Sequence, residues 1–369
     1  MLDHIAKEAY AQYQLPGRFV SLTPFGQGLI NRTYRIIQRE DYQDHNYILQ
    51  RINHAIFPDV QGLMSNIQKV TAYLKEEAQA RGGDPDRETM TIELSEEGKP
   101  FVQTEDGSYW RIYRYVENTI TLDRVTQASH FYEAARAFGD FAKKLDGFDA
   151  SGLVEVIPKF HDTRDRYAQL QAAIAKDAAG RVKDLTAEIQ FVEDRKADCF
   201  YLYDLLDQGQ LPLRVTHNDT KLNNILLDAD TKQAICIVDL DTIMPGLALF
   251  DFGDAIRFGA NEAAEDEPNL DKVRFNQDLY DVYVEGYLEG SAGILTDQEI
   301  ALLPWGAKVI TLEQGIRFLT DYINGDVYYG TSRPGQNLDR TRVQFKLVRE
   351  MEQAWSAMNE TVAKYKQKD

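Results

Sequence analysis

Val215-Thr216-His217-Asn218-Asp219-Thr220-Lys221-Leu222-Asn223-Asn224-Ile225-Leu226-Leu227 is the stretch on which the reading of this chain turns. Asp219 follows His217 by two residues, and Asn224 comes five later, directly before an apolar β segment. About twenty residues past Asp219, Ile235-Cys236-Ile237-Val238-Asp239 is an apolar strand ending in a second carboxylate. Phosphoryl transfer from a nucleotide needs such parts. One carboxylate must orient the attacking hydroxyl and accept its proton. Oxygen ligands on neighbouring segments must hold Mg²⁺ against the phosphates, because the metal neutralises charge on the transferring group. Asp219 fits the first role, with Asn224 and Asp239 as the ligands. Each piece alone recurs by chance, since an Asp at a strand end is usually a turn or helix cap. The joint pattern, after a β-rich first third, is far more specific.

Outward from this stretch the chain divides into two characters. Arg18 to Phe25, Thr33 to Gln38, Tyr47 to Ile52, Met90 to Leu94 and Tyr109 to Val116 are short segments rich in β-branched and aromatic residues. Turn residues bound them (Gly26, Gly28, Asp41, Asp44, Gly98, Gly107), so they predict strands. Between the third and fourth, Leu63, Ile67, Val70 and Leu74 recur at spacings of four, three and four. That predicts one face of a helix over Asp59 to Arg81, which Arg81-Gly82-Gly83-Asp84-Pro85 ends in a turn. Three strands, a helix, then more strands is an α+β pattern and not alternating βαβ. From about Thr121 the patterns become helical: Thr126 to Leu145, His161 to Ala175 and Lys183 to Leu206. Past the strands Ile225 to Leu227 and Ala234 to Val238 follow Asn276 to Leu288, Glu299 to Tyr322 and Leu338 to Tyr365. No internal repeat or low-complexity linker interrupts this order. The expected division is a β-rich lobe, 1–117, and a mainly helical lobe, 118–369.

Length and charge bound the function. The 369 residues suit two lobes at roughly 100–200 residues per domain. With 41 Lys+Arg against 59 Asp+Glu the net charge is −18, which argues against a nucleic-acid binder and against a polybasic membrane-surface protein. No apolar run approaches the ~18–20 residues that span a bilayer. Met1-Leu2-Asp3-His4 lacks the basic, apolar and small-residue regions of a signal peptide. Cys199 and Cys236 are too few for a disulfide framework or a multi-cysteine zinc site. The expectation is a cytoplasmic protein with small-molecule partners, neither nucleic acid nor membrane.

His217-x-Asp219-xxxx-Asn224 followed by the strand-terminal Asp239 resembles the aminoglycoside phosphotransferase, choline kinase and homoserine kinase group of the protein-kinase-like fold. The resemblance covers nearly the whole chain. It implies a two-lobe α+β fold with the nucleotide in the first lobe and the catalytic loop and acceptor in the second. It also makes His217 a structural holder of the catalytic loop and not a general base. A finer likeness lies in Tyr47-Ile48-Leu49-Gln50-Arg51-Ile52-Asn53, His217-Asn218-Asp219-Thr220-Lys221, Asp239-Leu240-Asp241-Thr242-Ile243-Met244-Pro245-Gly246, Asp251-Phe252-Gly253-Asp254-Ala255-Ile256-Arg257 and Gly315-Ile316-Arg317-Phe318-Leu319-Thr320-Asp321-Tyr322. These blocks are similar to the N-acetylhexosamine 1-kinases. They imply ATP-dependent, Mg²⁺-dependent phosphorylation of the anomeric hydroxyl of GlcNAc or GalNAc. The alternatives are the same fold acting on an aminoglycoside, choline or homoserine, and a nucleotide-binding scaffold without turnover. The complete Asp219, Asn224 and Asp239 set speaks against the scaffold.

The remaining candidates follow from residue type and place. Gly26-Gln27-Gly28-Leu29-Ile30-Asn31 lies between two predicted strands and carries two of the three glycines of a GxGxxG loop, so Gly26, Gly28 and Asn31 are candidate nucleotide-binding residues. Its place before a strand excludes Walker A and Rossmann readings. Protein kinases put a phosphate-holding lysine on the third strand. Tyr47 to Ile52 has none, and Arg51 is its only cation, on Leu49's face by strand alternation. Lys221 is placed to neutralise the moving phosphoryl group. Asp241 is a second candidate beside Asp239, which the resemblance favours as the ligand. Asp251 and Asp254 are expected to brace the catalytic loop and cap a helix. Arg317 sits among Ile316, Phe318 and Leu319, where a buried cation needs anionic or hydrogen-bonding partners. It is the leading sugar-binding candidate, with Tyr322 and Tyr328 as rings for the pyranose. Of the charge, residues 118–369 carry 28 basic and 42 acidic side chains, most of the excess. Lys221, Arg51 and Arg317 are therefore the cations expected to offset a field that repels a nucleotide.

Overall fold

Alternating apolar residues in the first third build one antiparallel sheet. The computed structural model describes residues 2–26 and 31–366. Strands β1 (Arg18–Pro24), β2 (Arg32–Glu40), β3 (Gln43–Ile52), β4 (Ile92–Glu93), β5 (Val102–Gln103) and β6 (Tyr109–Arg114) order as β1-β2-β3-β6-β4, with β5 also paired to β6. Asp41 and Tyr42 join β2 to β3 with φ of 48° and 66°, the left-handed backbone of a tight hairpin turn. Every second residue of β3 then shares a face. Tyr47 and Leu49 pack with Tyr34, Ile36, Trp110 and Ile112 against Ala6 and Ala9 of a helix at Leu2–Tyr10, which the patterns did not predict.

The predicted second helix forms at Val60–Ala80 with Leu63, Ile67, Val70 and Leu74 buried. Asp59 caps it by accepting from the Gly62 N–H at 2.8 Å, and Gly82 follows its end at φ 75°.

Contacts group the chain into two units that no single cut describes. The first holds 1–121 together with 147–158 and 226–244; the second holds 122–146, 159–225 and 245–369. The later segments join the first unit through specific bonds. The Asn66 amide donates to the Val154 and Ile243 carbonyls at 2.8 and 2.9 Å and accepts from the Val154 N–H. Arg87 pairs with Asp228 at 2.7 Å, and Thr119 and Ile120 ladder with Asp228 and Leu227. Asp239 and Asp241 therefore belong to the unit of the sheet, not to the helical lobe expected from a division at 117/118. Local pattern cannot register such long-range joins.

The second unit is helical. Three predicted helices each form as two. Lys183 to Leu206 becomes Thr186–Glu193 and Lys196–Asp207, and Leu338 to Tyr365 becomes Gln336–Gln353 and Trp355–Lys366. Neither break carries glycine or proline, so apolar spacing runs through both. Glu299 to Tyr322 becomes Asp297–Ala301 and Leu303–Asn324, where Pro304 opens the second helix as its fixed φ allows. No helix of the described residues is long and apolar enough to cross a membrane.

Leu303–Asn324 packs against an unpredicted helix, Ala248–Gly259, backbone to backbone. A Cβ on Gly253 would lie 2.3 Å from the Gly306 carbonyl oxygen, and one on Gly306 would lie 2.3 Å from that of Leu249. Backbone atoms cannot move aside as a flexible side chain does. Gly253→Ala should therefore force the helices apart and cost about 1–3 kcal/mol, read as a lowered thermal midpoint. An unchanged midpoint would mean the two helices can separate freely.

Candidate active site

In the second unit the short strand Arg214–Thr216 delivers the chain into the loop that carries Asp219. Asn218 adopts φ 63°, a left-handed conformation that asparagine tolerates better than most residues. Its side chain bonds Thr216 at both ends, accepting from Oγ1 at 3.0 Å and donating to the carbonyl at 3.1 Å. Asp251, on the helix Ala248–Gly259, accepts from the His217 and Asn218 N–H groups at 2.9 and 2.7 Å. One turn on, Asp254 accepts from the Thr220 N–H at 3.1 Å, while the Thr220 hydroxyl donates to the Asp251 carbonyl at 2.6 Å. Arg257 pairs with Asp254 at 2.9 Å, so this carboxylate is not a lone buried charge. The two aspartates do brace the loop. His217 is buried with its ring against Phe138 and Phe141, and its Nδ1 accepts from the Asp219 N–H at 3.3 Å.

Lys221 Nζ lies 2.7 Å from Asp219 Oδ1. Burial raises the energy of the Asp219 carboxylate, but the ammonium of Lys221, with Arg257 beyond it, outweighs that cost and holds the carboxyl below its ordinary range. Burial likewise works against the Lys221 charge, and Asp219 with Asp254 more than restores it. The lowered pKa favours the ionised form of Asp219, the form a general base needs. Asn224 donates its amide to the Asp219 carbonyl at 2.8 Å and to Oδ2 at 3.3 Å. Its nitrogen faces the loop, leaving the amide oxygen as the atom of a type that Mg²⁺ takes.

Arg317 lies largely covered on Leu303–Asn324, its side chain 12% exposed, and it has the partners the sequence argument asked for. It lies 3.5 Å from Glu313 Oε1, donates to Gln314 at 3.3 Å and stands over the rings of Phe160 and Tyr329. Burial works against its charge, but Tyr329, Glu313 and Tyr328, the last through a hydrogen bond, raise its pKa further. Asp321 pins the following loop by accepting from the N–H groups of Val327, Tyr328 and Tyr329 at 2.9, 2.8 and 2.9 Å. Tyr328 is thereby presented 56% exposed beside Arg317. Tyr322 is not with them. Its ring lies under Arg181 and packs on the core of Leu312, Ile316 and Leu319, which commits it to structure.

In the first unit Gly26 has φ 73°, a conformation that glycine takes without strain; Gly28 lies outside the described residues. Asn31 is buried and used at both ends of its amide, donating to Asp241 Oδ2 at 2.6 Å and accepting from the Asn53 N–H at 3.0 Å. It serves as a strut, which differs from the nucleotide contact expected of it. Arg51 stands opposite Arg32 and Trp110 on the face of Leu49, with Asp106 within electrostatic reach. The buried cation of this sheet is instead Arg111. It is the register partner of Gln50 and donates to the Gln50 amide oxygen at 3.0 and 2.5 Å. Asp241 Oδ1 lies 2.5 Å from its Nη2. Burial opposes the Arg111 charge, and Asp241, followed by Tyr113 and Asp239, overcomes it. Asp241 is therefore consumed by Arg111 and Asn31. Asp239, exposed at φ 61° before the turn Leu240–Thr242, is the carboxylate of the pair that faces solvent.

Arg111, His161, Glu313 and Tyr329 escaped the sequence reading. The argument that found Arg317 does not reach Arg111, because it lies in a strand, where the neighbours Trp110 and Ile112 point to the opposite face.

Residues 21–285 match a family model described as a phosphotransferase enzyme family, APH. Among solved structures, an aminoglycoside phosphotransferase from Alicyclobacillus acidocaldarius is similar at a TM-score of 0.60 and 13% identity, over 97% of this chain and 96% of that one. A choline kinase from Cryptosporidium parvum has a TM-score of 0.56 at 12% identity, over 99% and 98%. An ethanolamine kinase from Plasmodium vivax has 0.55 at 12%, over 88% and 82%. At these identities the likeness establishes the fold, and it is the expected α+β fold of the aminoglycoside phosphotransferase and choline kinase type.

Proposed function

We propose, since this chain belongs to the APH phosphotransferase enzyme family, that it transfers the γ-phosphoryl group of ATP to the anomeric O1 of an N-acetylhexosamine. The observation that carries the reading is the ionised Asp219, paired with Lys221 and buttressed by Asn224 on a loop with little freedom to move. Asp219 accepts the O1 proton as the O1–P bond forms and the bond from phosphorus to the β,γ-bridging oxygen breaks, releasing ADP. Lys221 keeps the carboxylate charged and lies beside the path of the phosphoryl group. The anomeric hydroxyl is more acidic than an ordinary alcohol, so positioning supplies much of the rate. Asn224 and Asp239 are the proposed Mg²⁺ ligands, an amide oxygen and a carboxylate of the kind the ion takes; when bound, the metal would neutralise charge on the phosphates. Gly26 and Gly28 are proposed for the nucleotide.

Arg317 supports a sugar over a cationic acceptor. Glu313 beside it already faces three cationic or ionisable groups, Arg166, His161 and Arg317, which makes this carboxylate a poor counter-charge for an ammonium group. A guanidinium among Phe160, Tyr328 and Tyr329 suits hydroxyl groups and the apolar face of a pyranose. The test is ³¹P NMR of products formed with ATP and Mg²⁺ from GlcNAc, GalNAc, choline, ethanolamine, homoserine and kanamycin, each offered alone. A hexosamine 1-phosphate is expected. A 6-phosphate, or a product from a cationic acceptor only, would overturn the sugar reading. Arg317→Ala should raise the sugar KM about 10–100-fold, the worth of a charged hydrogen bond, with the ATP KM little changed.

A further inference from the structure

One buried histidine lies on the route from the proposed acceptor residues to the proposed base. His161 precedes the helix Thr163–Lys176 and is 7% exposed. Its Nδ1 lies 2.9 Å from Glu313 Oε2 and its Nε2 lies 3.2 Å from the Asn218 carbonyl oxygen. A carboxylate and a carbonyl oxygen both only accept hydrogen bonds. A neutral imidazole carries a single N–H and can satisfy just one of them. Both contacts are made only by the imidazolium. Phe160 and Phe250 flank the ring, with centroids at 4.5 and 5.5 Å, which leaves little room for water to replace a lost bond.

The Asn218 carbonyl belongs to the peptide that leads into Asp219. The N–H of the same peptide donates to His217 Nδ1, so two histidines grip the two ends of the unit from which the catalytic carboxylate projects. On the other side, Glu313 stands one helical turn before Arg317, which it faces at 3.5 Å through Oε1. Arg166 Nε is 3.9 Å from the same oxygen.

The geometry points to His161 as a positioning residue that, as an imidazolium, ties the acceptor-side pair Glu313–Arg317 to the peptide that aims Asp219. This assignment rests on the reading of Asp219 as the base. The charged groups facing the ring agree with it. From Leu303–Asn324 come Glu313 and, opposing, Arg317; from Ala248–Gly259 come Asp254 and Asp251; from Thr163–Lys176 comes Arg166, through Glu313. Burial disfavours the charged ring, but Glu313 outweighs it and raises the pKa above the usual 6.5. The strut is therefore intact below that raised value and is lost as pH rises through it. Turnover should carry an alkaline limb set by His161.

Two measurements on the full chain test this. Ring ¹⁵N–¹H correlation spectra across pH, with His161 assigned by the signals missing in His161→Gln, should show an imidazolium that titrates with a midpoint above 6.5. A midpoint at or below 6.5 would overturn the assignment without any acceptor being needed. Glu313→Gln keeps the shape and removes the charge, and should move the alkaline limb of kcat with GlcNAc and ATP–Mg²⁺ to lower pH by about one unit or more. A limb that stays in place would overturn the positioning role. If GlcNAc is not turned over, the sugar reading fails instead, and the same limb is followed with whichever acceptor of the panel is phosphorylated. If no acceptor is phosphorylated, the ring titration alone decides for or against the imidazolium strut.

Discussion

Asp219→Asn should lower kcat by about 10²–10⁴-fold, the range set by loss of a positioned general base, while nucleotide binding persists. Asparagine keeps the size of aspartate and its contact to the Asn224 amide, so the loop held by Asp251 and Asp254 has no reason to move. What is lost is the negative charge proposed to accept the acceptor proton, which pairs with Lys221 at 2.7 Å. Calorimetric titration with a non-hydrolysable ATP analogue and Mg²⁺ reads binding, and ³¹P NMR reads turnover. Near-native turnover would remove Asp219 from the role. The wild-type acid limb follows from the same environment. The carboxyl pKa is lowered and the ionised form is the active one, so activity is lost only as pH falls below the ordinary carboxylate range.

The second large effect is on stability and lies in the other unit. Arg111→Met should cost about 3–5 kcal/mol, because it leaves the Asp241 carboxylate buried without its cation. Arg111 is 1% and Asp241 5% exposed at the side chain, at 2.5 Å from each other; the Asn31 amide would remain on Asp241 as a neutral partner. The double variant Arg111→Met/Asp241→Leu should recover most of the loss, since an apolar pair of similar volume makes no demand for compensation. Trp110, buried in the core of this sheet, reports on its unfolding when Trp305 and Trp355 are replaced by Phe. Urea midpoints for the two single variants and the double complete the cycle. Equal midpoints throughout would show that the pair is solvated and carries no weight.

These two results bear differently on what could be read in advance. His217, Asp219, Lys221 and Asn224 lie within eight residues of chain, and a loop of that length has local meaning: the residues that do chemistry and those that hold the turn are neighbours in sequence. Arg317 was legible for a thermodynamic reason, as a cation in an apolar helix must find partners. Tyr322 failed the same scrutiny because a helix puts 317 and 322 on different faces, and the second face is core. Asn31 lay where a nucleotide contact was expected, yet its amide is taken by Asp241 and Asn53, far along the chain.

The chain's pattern by itself determined the class of fold, most of the longer strands and helices, and the loop bearing the proposed base, because alternation, 3.6-residue periodicity and a short loop are all local. Only the tertiary structure decided which carboxylate is spent on structure and which faces solvent, which strand supplies the buried cation, and what aims the peptide before Asp219. Those outcomes depend on contacts such as His161 to Asn218 and Glu313, 57 and 152 residues apart. Burial makes each such polar contact obligatory, but no periodicity of the chain announces which distant partner will satisfy it.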